Sequence, residues 1–157
     1  MPSRVVEIDH ISIRVSDFEK SKAFYGKLFR FLGLRPMDEY AGAAGWSNGR
    51  TRFWIGDAED KSHRHKIGQV GFHHYAFQLR SRADVDALEA FLKQNDVEIV
   101  DPADEYYDDY YAVFFLDPDG LKLEGMKWGE RTEKKKRAAK RKTGARKAKQ
   151  RKAKKKR

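Results

Sequence analysis

Three side chains in this sequence have the chemistry of a divalent-metal site. His10 opens the run "HISIRV", and His74 opens "HYAFQL" 64 residues later. Glu124 lies in "LKLEGM" near the end of the patterned region. Two imidazoles and a carboxylate form a mixed N/O donor set that suits Mn²⁺, Fe²⁺, Ni²⁺, Co²⁺ or Zn²⁺. With only three protein ligands, coordination positions would stay open for substrate or water. The chain has no cysteine, which excludes thiolate ligands, thiol nucleophiles and disulfides.

The elements that must position these residues follow from periodicity. Ile11, Ile13 and Val15 alternate with His10, Ser12 and Arg14, so the latter three share one face of a strand over about Val5–Val15. Next, Ser16 and Glu19 have capping-box spacing, with Ser16 as the expected N-cap. Phe18, Phe24, Tyr25, Leu28 and Leu32 recur at helical spacing, Gly33 is a C-cap, and Pro36 follows the stop. Three short extended segments should come next, "TRFWIG" the clearest. The second half repeats this plan. His74, Ala76 and Gln78 share a strand face, and Ser81 and Asp84 form a second capping box. Val85, Leu88, Phe91 and Leu92 make an apolar stripe ending near Asn95. Then "VEIV", "YYAVFFL" and "LKLEGM" read as strands. "DPDG", residues 117–120, has type I turn chemistry and should join the last two as a hairpin. The expectation is an α+β fold of two βαβββ modules over residues 5–128.

Charge divides the chain differently. Residues 131–157 hold 17 of the 34 Lys/Arg and one of the 24 Asp/Glu, Glu133. Residues 1–130 therefore hold 17 basic and 23 acidic side chains, and the net charge of +10 describes neither part. The tail has no apolar face and reads as disordered. It lacks aromatics for base stacking. Contact with nucleic acid or another polyanion would thus be phosphate-driven and without sequence preference. No signal peptide and no membrane span are visible, so the expectation is a soluble, cytoplasmic protein.

"DHISIRVSDFEKSKAFYGKLFRFLGL", "HHYAFQL" and "FFLDPDGLKLEGM" together resemble the vicinal oxygen chelate superfamily. Its members include glyoxalase I, fosfomycin-resistance thiol transferases, extradiol dioxygenases, methylmalonyl-CoA epimerase and bleomycin-binding proteins. The resemblance implies paired modules whose curled mixed sheets enclose a metal cavity, with ligation by His10, His74 and Glu124; Ser12 and Arg14, on the His10 face, would orient substrate or hold a developing negative charge. It implies a homodimer in which His10 of one chain faces His74 and Glu124 of the other. His73 falls one residue off the motif and should face away as a structural residue, or serve as an alternative ligand if the register slips by one. Glyoxalase I-like members have a glutamate where parity places Trp54, or else Arg52, in this chain; neither is a good metal ligand, so three protein ligands remain and Trp54 is a substrate wall or a rim or core aromatic. Tyr110 is a proton donor or cavity wall, and Gln78 a substrate contact on the His74 face. Asp108 and Ala112 stand where a phosphonate clamp would be. Since carboxylates repel a phosphonate dianion, this argues against fosfomycin. His63 and His65 lie in a polar loop. The implied function is a metal-dependent enzyme that chelates vicinal oxygens of a small substrate and stabilises an oxyanion or enolate. Lyase, isomerase, group-transfer and ring-cleavage chemistry all share that step. The alternative is a non-catalytic, bleomycin-resistance-like binding module.

Overall fold

The computed structural model describes residues 7–129. The basic tail expected over 131–157 lies outside them. The elements are β1 (His10–Val15), α1 (Phe18–Leu32), β2 (Arg35–Tyr40), β3 (Ala43–Ser47), β4 (Arg52–Asp57), β5 (Tyr75–Gln78), α2 (Arg82–Gln94), β6 (Ile99–Tyr107), β7 (Tyr110–Leu116) and β8 (Lys122–Trp128). This is βαβββ written twice, as the pattern predicts. One sheet has the order β1-β4-β3-β2 and the other β5-β8-β7-β6. In each, the first strand pairs parallel with the last and the remaining pairs are antiparallel. A parallel pair needs a long crossover, which the helix and two strands supply. Among the described residues no helix is long and apolar enough to cross a membrane.

Local chemistry sets the helix ends. The sequence places the first N-cap at Ser16; the structure places it at Asp17, whose carboxylate accepts from Lys20 N at 3.0 Å. Ser16 is engaged elsewhere. Its backbone N–H donates to Asp119 Oδ2 at 2.8 Å and its hydroxyl donates to Asp119 Oδ1. Two bonds to a charged acceptor outweigh one to the helix end. At α2 the expected box is present: Ser81 Oγ accepts from Asp84 N at 3.1 Å, and Asp84 Oδ2 accepts from Ser81 N at 3.0 Å. Gly33, with φ of 83°, closes α1 in the left-handed conformation that glycine adopts without penalty.

Burial is one-sided. α1 buries Tyr25, Leu28 and Phe29, and α2 buries Val85, Leu88 and Leu92. These meet Phe53, Ile55, Phe115 and Leu123 from the sheets in one apolar cluster. Aromatic pairs join the modules, including Phe29–Phe77 at 5.9 Å, Phe53–Tyr75 at 5.4 Å and stacked Phe31–Phe91 at 4.4 Å. Each large buried apolar side chain is worth about 1.5–3 kcal/mol. The opposite face of each sheet carries the polar residues, and His10, Ser12, Arg14, Ala76 and Gln78 are all exposed there.

Candidate functional site

Along β8, Leu123 and Gly125 face the helices, and Lys122, Glu124 and Met126 alternate onto the other side. Glu124 is nevertheless only 1% exposed. Side chains from neighbouring segments cover it. His74 Nε2 lies 2.8 Å from Glu124 Oε2, and the Tyr110 hydroxyl donates to Oε1. Both carboxylate oxygens are thus paired, without which burying the charge would be very costly. Phe114 sits directly opposite Glu124 in the β7–β8 register and packs edge-on to His74 at 6.0 Å. Lys122 Nζ stands 4.1 Å from the centre of the Phe114 ring and donates to Asp101 Oδ2 at 3.2 Å. Burial first, and then the bond to Glu124, holds the Tyr110 phenol well above its ordinary range, so it remains an O–H donor.

The first module presents a different surface. On β1, His10 Nδ1 is 2.9 Å from Asp9 Oδ1, and Arg52 lies 3.1 Å from the other Asp9 oxygen. The His10 bond, with Arg52 beside it, lowers the Asp9 carboxyl below its usual range. A carboxylate on Nδ1 fixes the proton there and turns the Nε2 lone pair outward, the arrangement that metal-bound histidines adopt. Arg14 Nη1 donates to the Asp57 carbonyl at 3.2 Å. Trp54 lies opposite Ser12 in the parallel ladder and stacks on Tyr40 at 6.2 Å.

Of the residues singled out in the sequence, the structure brings His74, Glu124 and Tyr110 together. Among the described residues no three of His, Asp and Glu converge to hold a metal within one chain. His10 instead shares a cleft of about 380 Å³ with Gln78, where the edge strands β1 and β5 approach each other. Gln78 pairs with Met126, two residues along from Glu124. Asp108 is exposed in the β6–β7 turn, and Ala112 is fully buried opposite Met126. A larger cavity of about 560 Å³ lies between α1 and α2 on the helix side, away from Glu124. His63 is exposed and His65 N donates to the Asp119 carbonyl at 3.1 Å.

His73 differs from expectation. Its Nδ1 is 2.6 Å from His74 Nδ1, with the rings 4.8 Å apart and 68° inclined. Strand alternation would separate the two, but β5 begins only at Tyr75, so the rule does not govern this pair. Phe114 was also missed. Its role depends on cross-strand register, which a single sequence does not display.

The donor chemistry fits a divalent ion shared by two surfaces. His74 Nε2 and Glu124 would hold it on the second sheet, and the outward lone pair of His10 Nε2 would hold it on the first. Each of these atoms is oriented by a partner hydrogen bond, as metal-ligating groups are.

Comparison with known proteins identifies the family. The model of the Glyoxalase/Bleomycin resistance protein/Dioxygenase superfamily matches residues 7–124. The uncharacterized protein YqjT of Bacillus subtilis is 30% identical over 121 residues, covering 73% of this chain and 94% of YqjT. Metallothiol transferase FosB of Staphylococcus epidermidis is 31% identical over 117 residues, covering 74% and 80%. Among solved structures, a putative glyoxalase from Bacillus halodurans superposes with a TM-score of 0.68 at 27% identity, covering 78% of this chain and 96% of that one. The chain belongs to the Glyoxalase/Bleomycin resistance protein/Dioxygenase superfamily.

Proposed function

We propose that the protein is a divalent-metal-dependent enzyme acting on a small substrate with two adjacent oxygens. The observation that carries this reading is Glu124, a carboxylate buried to 1% exposure on the open face of a sheet and held between an imidazole and a phenol. The ligands are His74 and Glu124 from one chain and His10 from a second copy. Related metallothiol transferases such as FosB support metal dependence. A bound divalent ion would take two substrate oxygens and stabilise the negative charge that develops on them.

The chain's own residues supply the rest. Tyr110 keeps Glu124 oriented and retains its proton. Ser12 offers a hydroxyl and Arg14 a cation on the face of His10, and both orient the substrate. Trp54 forms an apolar wall, and Gln78 donates or accepts in the cleft it shares with His10. The neighbouring strand carries Asp101 and Asp104, and Asp108 lies in the following turn, so a dianionic phosphonate is disfavoured. Group transfer to a neutral or cationic electrophile fits this surface better than transfer to fosfomycin.

Calorimetric titration of the full chain with Zn²⁺, Mn²⁺ and Ni²⁺ tests the reading. His10→Ala, His74→Ala and Glu124→Gln should each weaken binding by more than about tenfold, with the thermal midpoint retained. Mixing the His10→Ala and His74→Ala chains should restore one intact site per mixed dimer. No restoration would place all ligands in one chain. A wild type that binds no divalent ion would leave a non-catalytic small-molecule-binding module as the reading.

A further inference from the structure

We propose that the cavity on the helix side is a second binding site, and that it takes a short zwitterionic peptide with an apolar side chain. The cavity, of about 560 Å³, lies between α1 and α2 and shares no lining residue with the His10 cleft. Its volume is that of a small-molecule site, which is typically about 300–1,000 Å³. Binding there requires no metal ion.

α1 supplies one wall. Lys20, Phe24 and Lys27 line the cavity, and their spacing of i, i+4 and i+7 puts them on one helix face. The opposite wall is the end of α2 and the loop into β6, with Phe91, Asp96 and Glu98. This wall is fixed before any ligand arrives. Asp96 adopts the left-handed backbone, with φ of 53°. Val97 N donates to the Leu92 carbonyl at 3.0 Å, and Leu116 N donates to the Glu98 carbonyl at 2.9 Å. Phe91 stacks on Phe31 of α1 at 4.4 Å and so joins the two walls. A site already formed avoids the entropy of ordering its loops on binding. Phe24, Phe91, Val97 and Leu116 line the cavity and are only half-buried, which leaves apolar surface for a guest to cover.

Charge selects the ligand. Lys20 and Lys27 stand on one wall, Asp96 and Glu98 on the other, and all four are exposed. Among the described residues none of these four side chains has an ion-pair or hydrogen-bond partner. Opposite charges held apart across an apolar trough suit a guest with one charge at each end. Its carboxylate would face the lysines and its ammonium the two acids. A simple anion would also meet Asp96 and Glu98, and a simple cation would also meet the lysines, so each is disfavoured on one side. An extended dipeptide carries its terminal charges roughly 7 Å apart. An aromatic side chain on it would cover Phe24 and Phe91, where ring pairs add to plain burial.

The test titrates the ¹⁵N-labelled full chain with three probes that differ only in charge: the dipeptide alanyl-phenylalanine, its N-acetyl form and its C-terminal amide. The amide signals of Ala23, Val97 and Leu116 should shift with the dipeptide, and those of Ala76 and Gln78 in the other cleft should not. The zwitterion should bind about twofold to fivefold more tightly than either analogue, the worth of one exposed ion pair. Lys20→Gln with Lys27→Gln should bring the dipeptide down to the affinity of its amide. Asp96→Asn with Glu98→Gln should bring it down to that of the N-acetyl form; asparagine suits the left-handed backbone at 96. Thermal midpoints should stay near wild type in both variants, because all four side chains are exposed. Equal affinity for the three probes, shifts confined to the His10 cleft, or no shift at millimolar dipeptide each overturns the proposal and leaves the metal-dependent reading untouched.

Discussion

In the first module the indole of Trp54 lies against Gly45; in the second, Glu124 and Phe114 occupy the same two places. The registers make the match. Ser12 pairs with Trp54 as Ala76 pairs with Glu124, and Gly45 pairs with Trp54 as Phe114 pairs with Glu124. The large and small partners have changed sides. A Cβ on Gly45 would come within 2.8 Å of the Trp54 ring, so only glycine lets the indole lie flat there. In the second module the bulk of Phe114 roofs a carboxylate instead. The two modules share one backbone plan and differ in which neighbour carries the bulk.

The hairpin turns sharpen this contrast and carry the largest expected effect. In the first module, residues 48–51 close on themselves: Asn48 Oδ1 accepts from Arg50 N at 3.1 Å and Thr51 N at 2.9 Å, all in solvent. In the second, Asp117 is 6% exposed. It accepts from Asp119 N and Leu121 N at 2.9 and 2.8 Å, and across the modules from Tyr25 OH at 2.7 Å. Asp117→Ala should lose about 3 kcal/mol in urea unfolding, against about 1 kcal/mol or less for Asn48→Ala. Burial raises the Asp117 pKa above its ordinary 3.8. The native state therefore holds a proton that the unfolded chain has released, and stability falls as pH rises from about 4 through the folded value. Asp117→Asn should flatten that slope. Equal losses at the two turns would show that the second is as self-contained as the first.

Much of this architecture was legible in the sequence. Alternation revealed the polar face of β1, helical spacing revealed α1 and α2, and the Asp-Pro-Asp-Gly turn appeared where its chemistry placed it. Glu124 was legible because it stands on a patterned strand, and His74 because it immediately precedes one at the place matched to His10. The residues that escaped have distant or irregular partners. Ser16 is claimed by Asp119, 103 positions away. His73 precedes the strand whose alternation would have turned it outward. The six residues of β2 are all exposed and show no burial pattern. The burial of Glu124 depends on Tyr110 and Phe114, whose alignment with it is a fact of register.

Glycine substitutions probe the volume exchange with intermediate effects. A Cβ on Gly125 would lie 2.3 Å from Leu88 Cδ2, inside a core where Leu88 has no exposure. Gly125→Ala should cost about 1–3 kcal/mol through overpacking. At Gly45 the obstacle is a half-buried indole that can swing outward. Gly45→Ala should cost less, near 1 kcal/mol at most, yet reduce the near-ultraviolet circular dichroism as the Tyr40–Trp54 stack opens. A larger stability loss at Gly45 than at Gly125 would mean that Trp54 belongs to the core rather than to the open wall.

The smallest effects separate the two helix starts. Ser81 belongs to a local capping box, so Ser81→Ala should cost about 1 kcal/mol and speed amide exchange at Asp84. Ser16 makes no cap; it ties the β1–α1 junction to the turn of the other module. Ser16→Ala keeps the backbone bond from Ser16 N to Asp119 and loses only the hydroxyl bond. Its cost should be about 0.5–1 kcal/mol, with exchange in the first turn of α1 unchanged because Asp17 still caps it. The discriminating measurement is a double-mutant cycle with Asp119→Asn. Ser16 should couple to Asp119 by more than about 0.5 kcal/mol, whereas Ser81, which lacks that partner, should add independently. No coupling at Ser16 would mean that its hydroxyl bond to Asp119 adds nothing to the junction between the modules.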